Sequence, residues 1–201
     1  MTQNEGGVQN GGSLRYSLHR LAYQGKPVLT FLFKNRTDLL QHFDRLAEGR
    51  LSAVGETLEG ASINKWDYYR FYVRNGIVKT EAEQSVFESV RPFMRQKFST
   101  IALMEGFHEK YLIHEQTHAL YELDREFRRF VKAYVDSRPL MKGRLVQNVK
   151  KYYRVDRISD SELYSEYAAT LVETEYYTSD DEICRWYERF VEETTGVRQT
   201  E

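Results

Sequence analysis

Cysteine, proline and long apolar runs are all scarce in this chain, and each shortage removes a class of protein. A single cysteine, Cys184, in 201 residues excludes an internal disulfide, so a hydrophobic core and not cross-links must hold the fold. Cys184 also sits in an amphipathic C-terminal stretch, poor surroundings for a catalytic thiol. No window approaches the ~18 apolar residues of a membrane span. Met1 to Gly12 is polar and glycine-rich, without the apolar core of a secretory leader, so a reducing, cytoplasmic setting is expected. Formal net charge is −1, from 29 Lys+Arg against 30 Asp+Glu, which leaves no overall basic field for nucleic acid. Prolines number 3 and glycines 12, so helices have room to run.

With few helix breakers, the expected fold class is mainly α, an α+β chain with a small sheet. Residues 1–12 read as a disordered tail and 13–201 as a single domain, long enough to bury an adequate core. A short helix is expected over 13–23, a longer one over 37–50, and another over 80–98 interrupted at Pro92. Pro27 to Phe33 is the best strand, β-branched and aromatic between Gly25 and Asn35. The aromatic stretch Ile63 to Val78 reads equally as a helix or as paired strands. Residues 107–137 contain neither proline nor glycine, which permits a helix throughout, and further helices are expected around 142–153, 159–177 and 180–194. Basic clusters at Arg125, Arg128, Arg129 and Lys132, then Arg144, Lys150, Lys151 and Arg154, fall at helical spacings and read first as solvated faces.

The most informative residues lie in the middle of this helical territory: His114-Glu115-Gln116-Thr117-His118, a match to H-E-x-x-H. On a helix, positions i and i+4 share a face, so both imidazoles can aim at one point. Two neutral imidazoles suit Zn²⁺, which takes nitrogen at ~2.0–2.1 Å and tolerates an open fourth position. Glu115, beside the first histidine, can take the proton of a water at the metal, whose pKa falls from ~15.7 to roughly 7. Apolar Leu112, Ile113, Ala119, Leu120 and Leu123 flank the motif and mark a core helix. His108 stands six residues before His114, about 600° around the helix and off the metal-facing side.

A third ligand is available downstream. In the stretch 159–177, Ser159 and Glu162 have capping-box spacing. Helical periodicity then sets Glu162, Glu166 and Glu173 on roughly one face, with the small Ala168 and Ala169 permitting close approach of another helix. H-E-x-x-H followed by a glutamate on a later helix resembles the gluzincin group of zincin metallopeptidases. Glu166-Tyr-Ala-Ala-Thr-Leu-Val-Glu173 looks like the ligand helix of aminopeptidase-type and collagenase-type gluzincins. In a register similar to thermolysin-like enzymes, Glu162 is instead the ligand and Glu166 replaces a histidine-orienting aspartate. Glu166 is preferred, because Glu162 has a local role at the helix N-terminus, and Glu162 stays as the alternative.

The resemblance implies a zincin-like core around the two motif helices, with His114, His118 and Glu166 (or Glu162) as Zn²⁺ ligands and Glu115 as general base. The expected activity is hydrolysis of a peptide or protein substrate. An oxyanion-stabilising group is expected as well. Tyr152, Tyr153, Tyr176, Tyr177 and Tyr187 are all candidates, and none is assigned. Zincins bind extended substrate along a sheet edge, and with one convincing strand in this sequence the cleft is expected to be built differently. Two other classes remain open: a zinc-containing, non-peptidase binding or regulatory protein on the same scaffold, and a metal-free helical interaction protein.

Overall fold

The computed structural model describes residues 16–47, 51, 60–74, 79–153, 159–176 and 181–196. Its organising element is a 4-stranded sheet of order β1-β2-β4-β3, formed by β1 (Tyr16–Tyr23), β2 (Lys26–Phe33), β3 (Gly60–Asn64) and β4 (Ser99–Met104). β1 and β2 form an antiparallel hairpin, β2 and β4 run parallel, and β3 pairs antiparallel with β4 at the edge. The central strands are apolar on both faces, as a sheet covered on both sides requires. Along β2, Val28 and Leu32 face one core while Leu29, Phe31 and Phe33 face the other.

Helices cover the two faces unequally. On one side lie α1 (Arg36–Phe43), α2 (Lys65–Tyr69) and α3 (Glu81–Val90), whose Leu39, Phe43, Tyr68, Val86 and Val90 pack under Leu29, Phe31 and Ile63. α2 widens into a π-helical turn over Arg70–Arg74, and α3 tightens into a 3-10 turn over Arg91–Phe93, where Pro92 stands. On the other side lie α4 (Glu109–Leu123), α5 (Arg125–Asp136), α6 (Pro139–Tyr153), α7 (Asp160–Glu175) and α8 (Glu182–Thr195). Ile113, Leu120, Phe127, Val131, Val172 and Phe190 fill the space between these helices and Ile101 and Leu103 of β4. The result is a mainly helical α+β fold around a small mixed sheet. Among the described residues, no helix is long and apolar enough to cross a membrane.

Several local expectations need correction. The helix expected over 13–23 is not formed in its described part: from Tyr16 to Tyr23 the chain is the edge strand β1, and residues 13–15 lie outside the described residues. Its Leu18, Leu21 and Ala22 mimic a helical stripe, but Tyr16 and Leu18 pack on one core and Leu21 and Tyr23 on the other, the alternation of a strand. Gln24 and Gly25, at φ 48 and φ 71, close the hairpin in the left-handed conformation that primed turns demand. The stretch Ile63–Val78 divides: Ile63 and Asn64 end β3, and Asn64 caps α2 through Trp66 and Asp67 N–H. The helix expected over 80–98 stops at Pro92, and β4 follows. Residues 107–137 form two helices because Asp124 is extended (φ −105, ψ 119) and its Oδ1 accepts from Glu126 N–H and Phe127 N–H. Oδ2 of Asp124 accepts from the buried Tyr23 hydroxyl at 2.7 Å, which ties this helix junction to the hairpin. Helix α1 ends at Phe43. The tail 1–12, the C-terminal end of the helix expected to residue 50, and Arg154 lie outside the described residues.

Candidate metal centre

Helix α4 starts at His108, whose Nδ1 accepts from Lys110 N–H, and it is held to its last turn by the core. Gln116 and Thr117, between the motif histidines, are buried behind them. Tyr187 of α8 donates to Gln116 Oε1 at 2.5 Å, and Thr117 donates to the Ile113 carbonyl at 2.8 Å. Facing α4 is α7, opened by the expected capping box in which Ser159 and Glu162 satisfy each other's backbone N–H groups. Ala168 and Ala169 of α7 are fully buried, and such small side chains let the two helix axes come close.

These elements bring His114, His118 and Glu166 together, with one ligand atom from each lying within 4.8 Å of the others. His114 Nε2 and His118 Nε2 stand 3.1 Å apart. Glu166 Oε2 is 3.8 Å from His114 Nε2, and Glu166 Oε1 is 3.6 Å from His118 Nε2. Ligands at ~2.0–2.1 Å in a tetrahedral shell stand about 3.4 Å from one another, so the donors are spaced for a small cation. Glu162 is elsewhere. It is exposed at the helix start, with Oε2 accepting from Ser159 N–H and the Ser159 hydroxyl.

The outer nitrogens of both histidines are fixed by α7 as well. His114 Nδ1 donates to Glu173 Oε2 at 2.9 Å, and His118 Nδ1 lies 2.8 Å from the Ser165 hydroxyl. Such partners set the tautomer and ring direction of ligand histidines, and here each leaves Nε2 aimed at the shared point. Ser165 carries no motif signal and was not foreseen. Glu173 could be placed on the right face but not paired with a particular histidine.

Electrostatics follow from this packing. Burial alone would lower the His114 pKa, but the hydrogen bond to Glu173 and the charges of Glu115, Glu166 and Glu173 raise it to about 9. Burial, reinforced by the neighbouring His114 charge, holds His118 well below the usual histidine range. With its charge so favoured, His114 can donate from Nε2 to His118 Nε2 across the 3.1 Å between them. Burial lifts the Glu115 carboxyl to about 7; the His114 charge opposes this, and Glu166 and Glu173 add to it.

Glu115 is 7% exposed, and its Oε2 is buried without a hydrogen-bond partner. The N-terminal end of β3 lies directly against it. A side chain at Gly60 would bring Cβ within 3.1 Å of Glu115 Cγ, 3.3 Å of Glu115 Oε1 and 2.7 Å of Leu103 Cδ2. Glycine is needed here for close approach, and β3, at the edge of the sheet among the described residues, runs beside the candidate base. Of the tyrosines considered, Tyr176 and Tyr187 meet edge-to-face with centroids 4.9 Å apart, and the Tyr187 hydroxyl is occupied by Gln116. Tyr152 and Tyr153 are on α6, and Tyr177 lies outside the described residues. His108 is the cap of α4 and stands apart from the ligand group. Cys184 is buried in the core with its thiol pushed up to about 11 by desolvation, which suits packing and not catalysis.

No protein-family model matches this chain, and no curated protein or solved structure does either. The functional reading therefore rests on the site.

Proposed function

We propose that this protein is a zinc-dependent metallopeptidase in which His114, His118 and Glu166 hold the metal and Glu115 is the general base. The observation that carries the reading is the pairing of a convergent His-His-Glu donor set with a buried, partnerless carboxylate on the same helix. Two imidazoles and one carboxylate are a donor set typical of hydrolytic zinc sites. Bound there, zinc supplies Lewis acidity toward a carbonyl oxygen and toward water.

The chain's own residues do the rest. Glu173 and Ser165 lock the imidazole rings so that both Nε2 atoms stay directed inward. Glu115, desolvated beside the donor set, accepts a proton from the attacking water and returns it to the leaving amine nitrogen. The edge position of β3 beside Glu115 offers main-chain groups to an extended peptide.

The donor count favours this over a closed structural zinc site, which takes four protein ligands. Among the described residues the cluster contributes three, and Glu173 is engaged on the far nitrogen of His114. A metal-free interaction protein would leave a buried carboxylate and two half-buried imidazoles converging without purpose, an arrangement that costs stability.

Metal content by mass spectrometry on untagged protein, wild type beside His118→Ala, tests the reading. About one zinc per chain is expected in wild type and little in the variant. Glu115→Gln should keep zinc and lose hydrolysis of peptide substrates. Absence of zinc from wild type even after reconstitution overturns the proposal.

A further inference from the structure

The aromatic stretch that follows β3 divides its rings between two surfaces. At ~100° per residue, Asp67, Tyr68, Phe71 and Tyr72 share the inward side of α2 and its π-helical turn, and all four are buried. Trp66, Tyr69 and Arg70 fall in the opposite sector, ~100° wide, and are exposed. Trp66 is 68% exposed and Tyr69 44%, the exposed large hydrophobics among the described residues. Apolar side chains exposed singly are ordinary on a protein surface. These two rings instead form a pair, one turn apart, meeting edge-to-face with centroids 6.0 Å apart and planes at 82°.

The element beneath the rings is firmly set. The Asn64 side chain accepts from Trp66 N–H and Asp67 N–H, and Asp67 Oδ2 accepts from Asn64 N–H, a complete capping box at the end of β3. On the inward side Tyr68 stacks on Tyr72 at 6.1 Å and leans on Phe98 at 5.6 Å. π-helical turns such as Arg70–Arg74 are rare and recur at functional sites. Neither the Trp66 indole N–H nor the Tyr69 hydroxyl is hydrogen-bonded among the described residues. Asp67, the one acid between Lys65 and Arg74, is 4% exposed, and its Oδ1 accepts from Arg70 at 2.7 Å. Lys65 and Arg70 therefore border the rings with no exposed carboxylate from their own segment.

We propose that Trp66 and Tyr69 are an interfacial anchor that sets α2 against a phospholipid surface, with Lys65 and Arg70 meeting anionic headgroups. Rings that project outward are an insert and not a receiving pocket. Indole and phenol combine an apolar body with a polar tip, which suits the headgroup level of a bilayer. Basic side chains beside them extend apolar stems along the interface and reach the phosphates. A protein partner would need a cleft shaped to two crossed rings, whereas lipid conforms to them. The contact is peripheral, since no described helix is long and apolar enough to cross a membrane. Such an anchor needs neither metal nor peptide, so its test is separate from that of the peptidase reading.

Co-sedimentation of the full chain with phosphatidylcholine vesicles, with and without phosphatidylserine, tests the anchor. Wild type should bind, and phosphatidylserine should strengthen binding about fivefold, the scale of one basic residue at an anionic surface. Trp66→Ala should weaken binding about tenfold, the scale of burying one exposed ring, and adding Tyr69→Ala should abolish it. Thermal melts should be unchanged in both variants, because neither ring belongs to either core. Indole emission should shift to the blue on vesicle addition and be quenched by brominated lipid. Trp66→Phe, which leaves Trp186 as the remaining indole, should lose both responses yet still sediment. No binding by wild type, or binding that the double variant retains, overturns the proposal. Self-association without lipid that the double variant loses, with vesicles left unbound, overturns it in favour of a second copy of the chain.

Discussion

Loading of the proposed metal centre should expel a proton, because the hydrogen bond to Glu173 and the surrounding carboxylates push the His114 imidazole up to about 9 in the metal-free protein. His114 titrates at about 9, and its Nε2 lies 3.1 Å from His118 Nε2. A ligand histidine must be neutral to bind a metal, so metal affinity is linked to this titration. The sign is fixed by the raised value: apparent affinity climbs as pH rises toward about 9 and levels off above it. Near pH 7.5 the proton stands ~1.5 pH units below the His114 midpoint, which costs about 2 kcal/mol, or about 30-fold in apparent Kd.

Isothermal titration of Zn²⁺ into chelator-stripped protein, repeated in buffers of different ionisation enthalpy, reads this directly. About one proton per zinc should be released near pH 7.5, with a second fraction appearing toward pH 6.5 as Glu115, at about 7, begins the titration protonated. Glu173→Gln removes the hydrogen bond that sustains the His114 charge. It should move the onset of proton release to lower pH and, by freeing the ring, weaken zinc about 10- to 100-fold. A Kd that is flat between pH 7 and 9, with no proton released, would refute the reasoning, because the imidazole pair would then not be proton-bridged.

Three further outcomes follow from the same geometry. Glu166→Ala should strip zinc or weaken it severely, whereas Glu162→Ala should leave metal content unchanged and cost about 1 kcal/mol through the lost capping box; metal analysis and thermal melts together separate these. Gly60→Ala should retain zinc yet lower kcat, because its methyl meets Glu115 Cγ at 3.1 Å. If Gly60→Ala combined with Leu103→Ala regains full activity, the contact with Leu103 and not the push on Glu115 was the cause. Asp124→Ala should destabilise the fold by about 2–4 kcal/mol, from a lost helix cap and a buried Tyr23 hydroxyl left without its acceptor, and a denaturant titration reads it.

The site was more legible in the sequence than the sheet that frames it. Two histidines four apart on a helix define a face whatever surrounds them, so geometry within α4 follows from spacing alone. The capping box at Ser159 likewise fixes where α7 begins and therefore which way Glu166 points. The sheet depends on tertiary pairing that local patterns underspecify. β1 spaces its leucines like a helix because each face of the strand meets a different core. β3 carries glycine, serine and asparagine, poor strand formers, and is recruited by pairing with β4 and by the space Gly60 yields to Glu115. β4 follows a proline-broken helix with little punctuation of its own. Ser165 is illegible for a related reason: a serine on a helix has no signature until the ring it touches is in place.

One helix, α7, supplies the glutamate of the donor set and the outer partners of both histidines, through Ser165, Glu166 and Glu173. Glu166 and Glu173, two turns apart, lie along one stripe that faces α4, and Ser165, about 100° around the helix from Glu166, reaches His118 from the flank of that stripe. The candidate metal site is thus a property of one helix–helix interface, and its precision depends on the axial register of α7. That register is set at the helix start. Tyr164, beside Ser165, donates to Asp136 at the end of α5 at 2.7 Å and accepts from Lys142 of α6 at 2.7 Å. The segment between the two motif helices, which sequence spacing presents only as an insertion, therefore acts as the clamp that holds the ligand helix in step with the histidines.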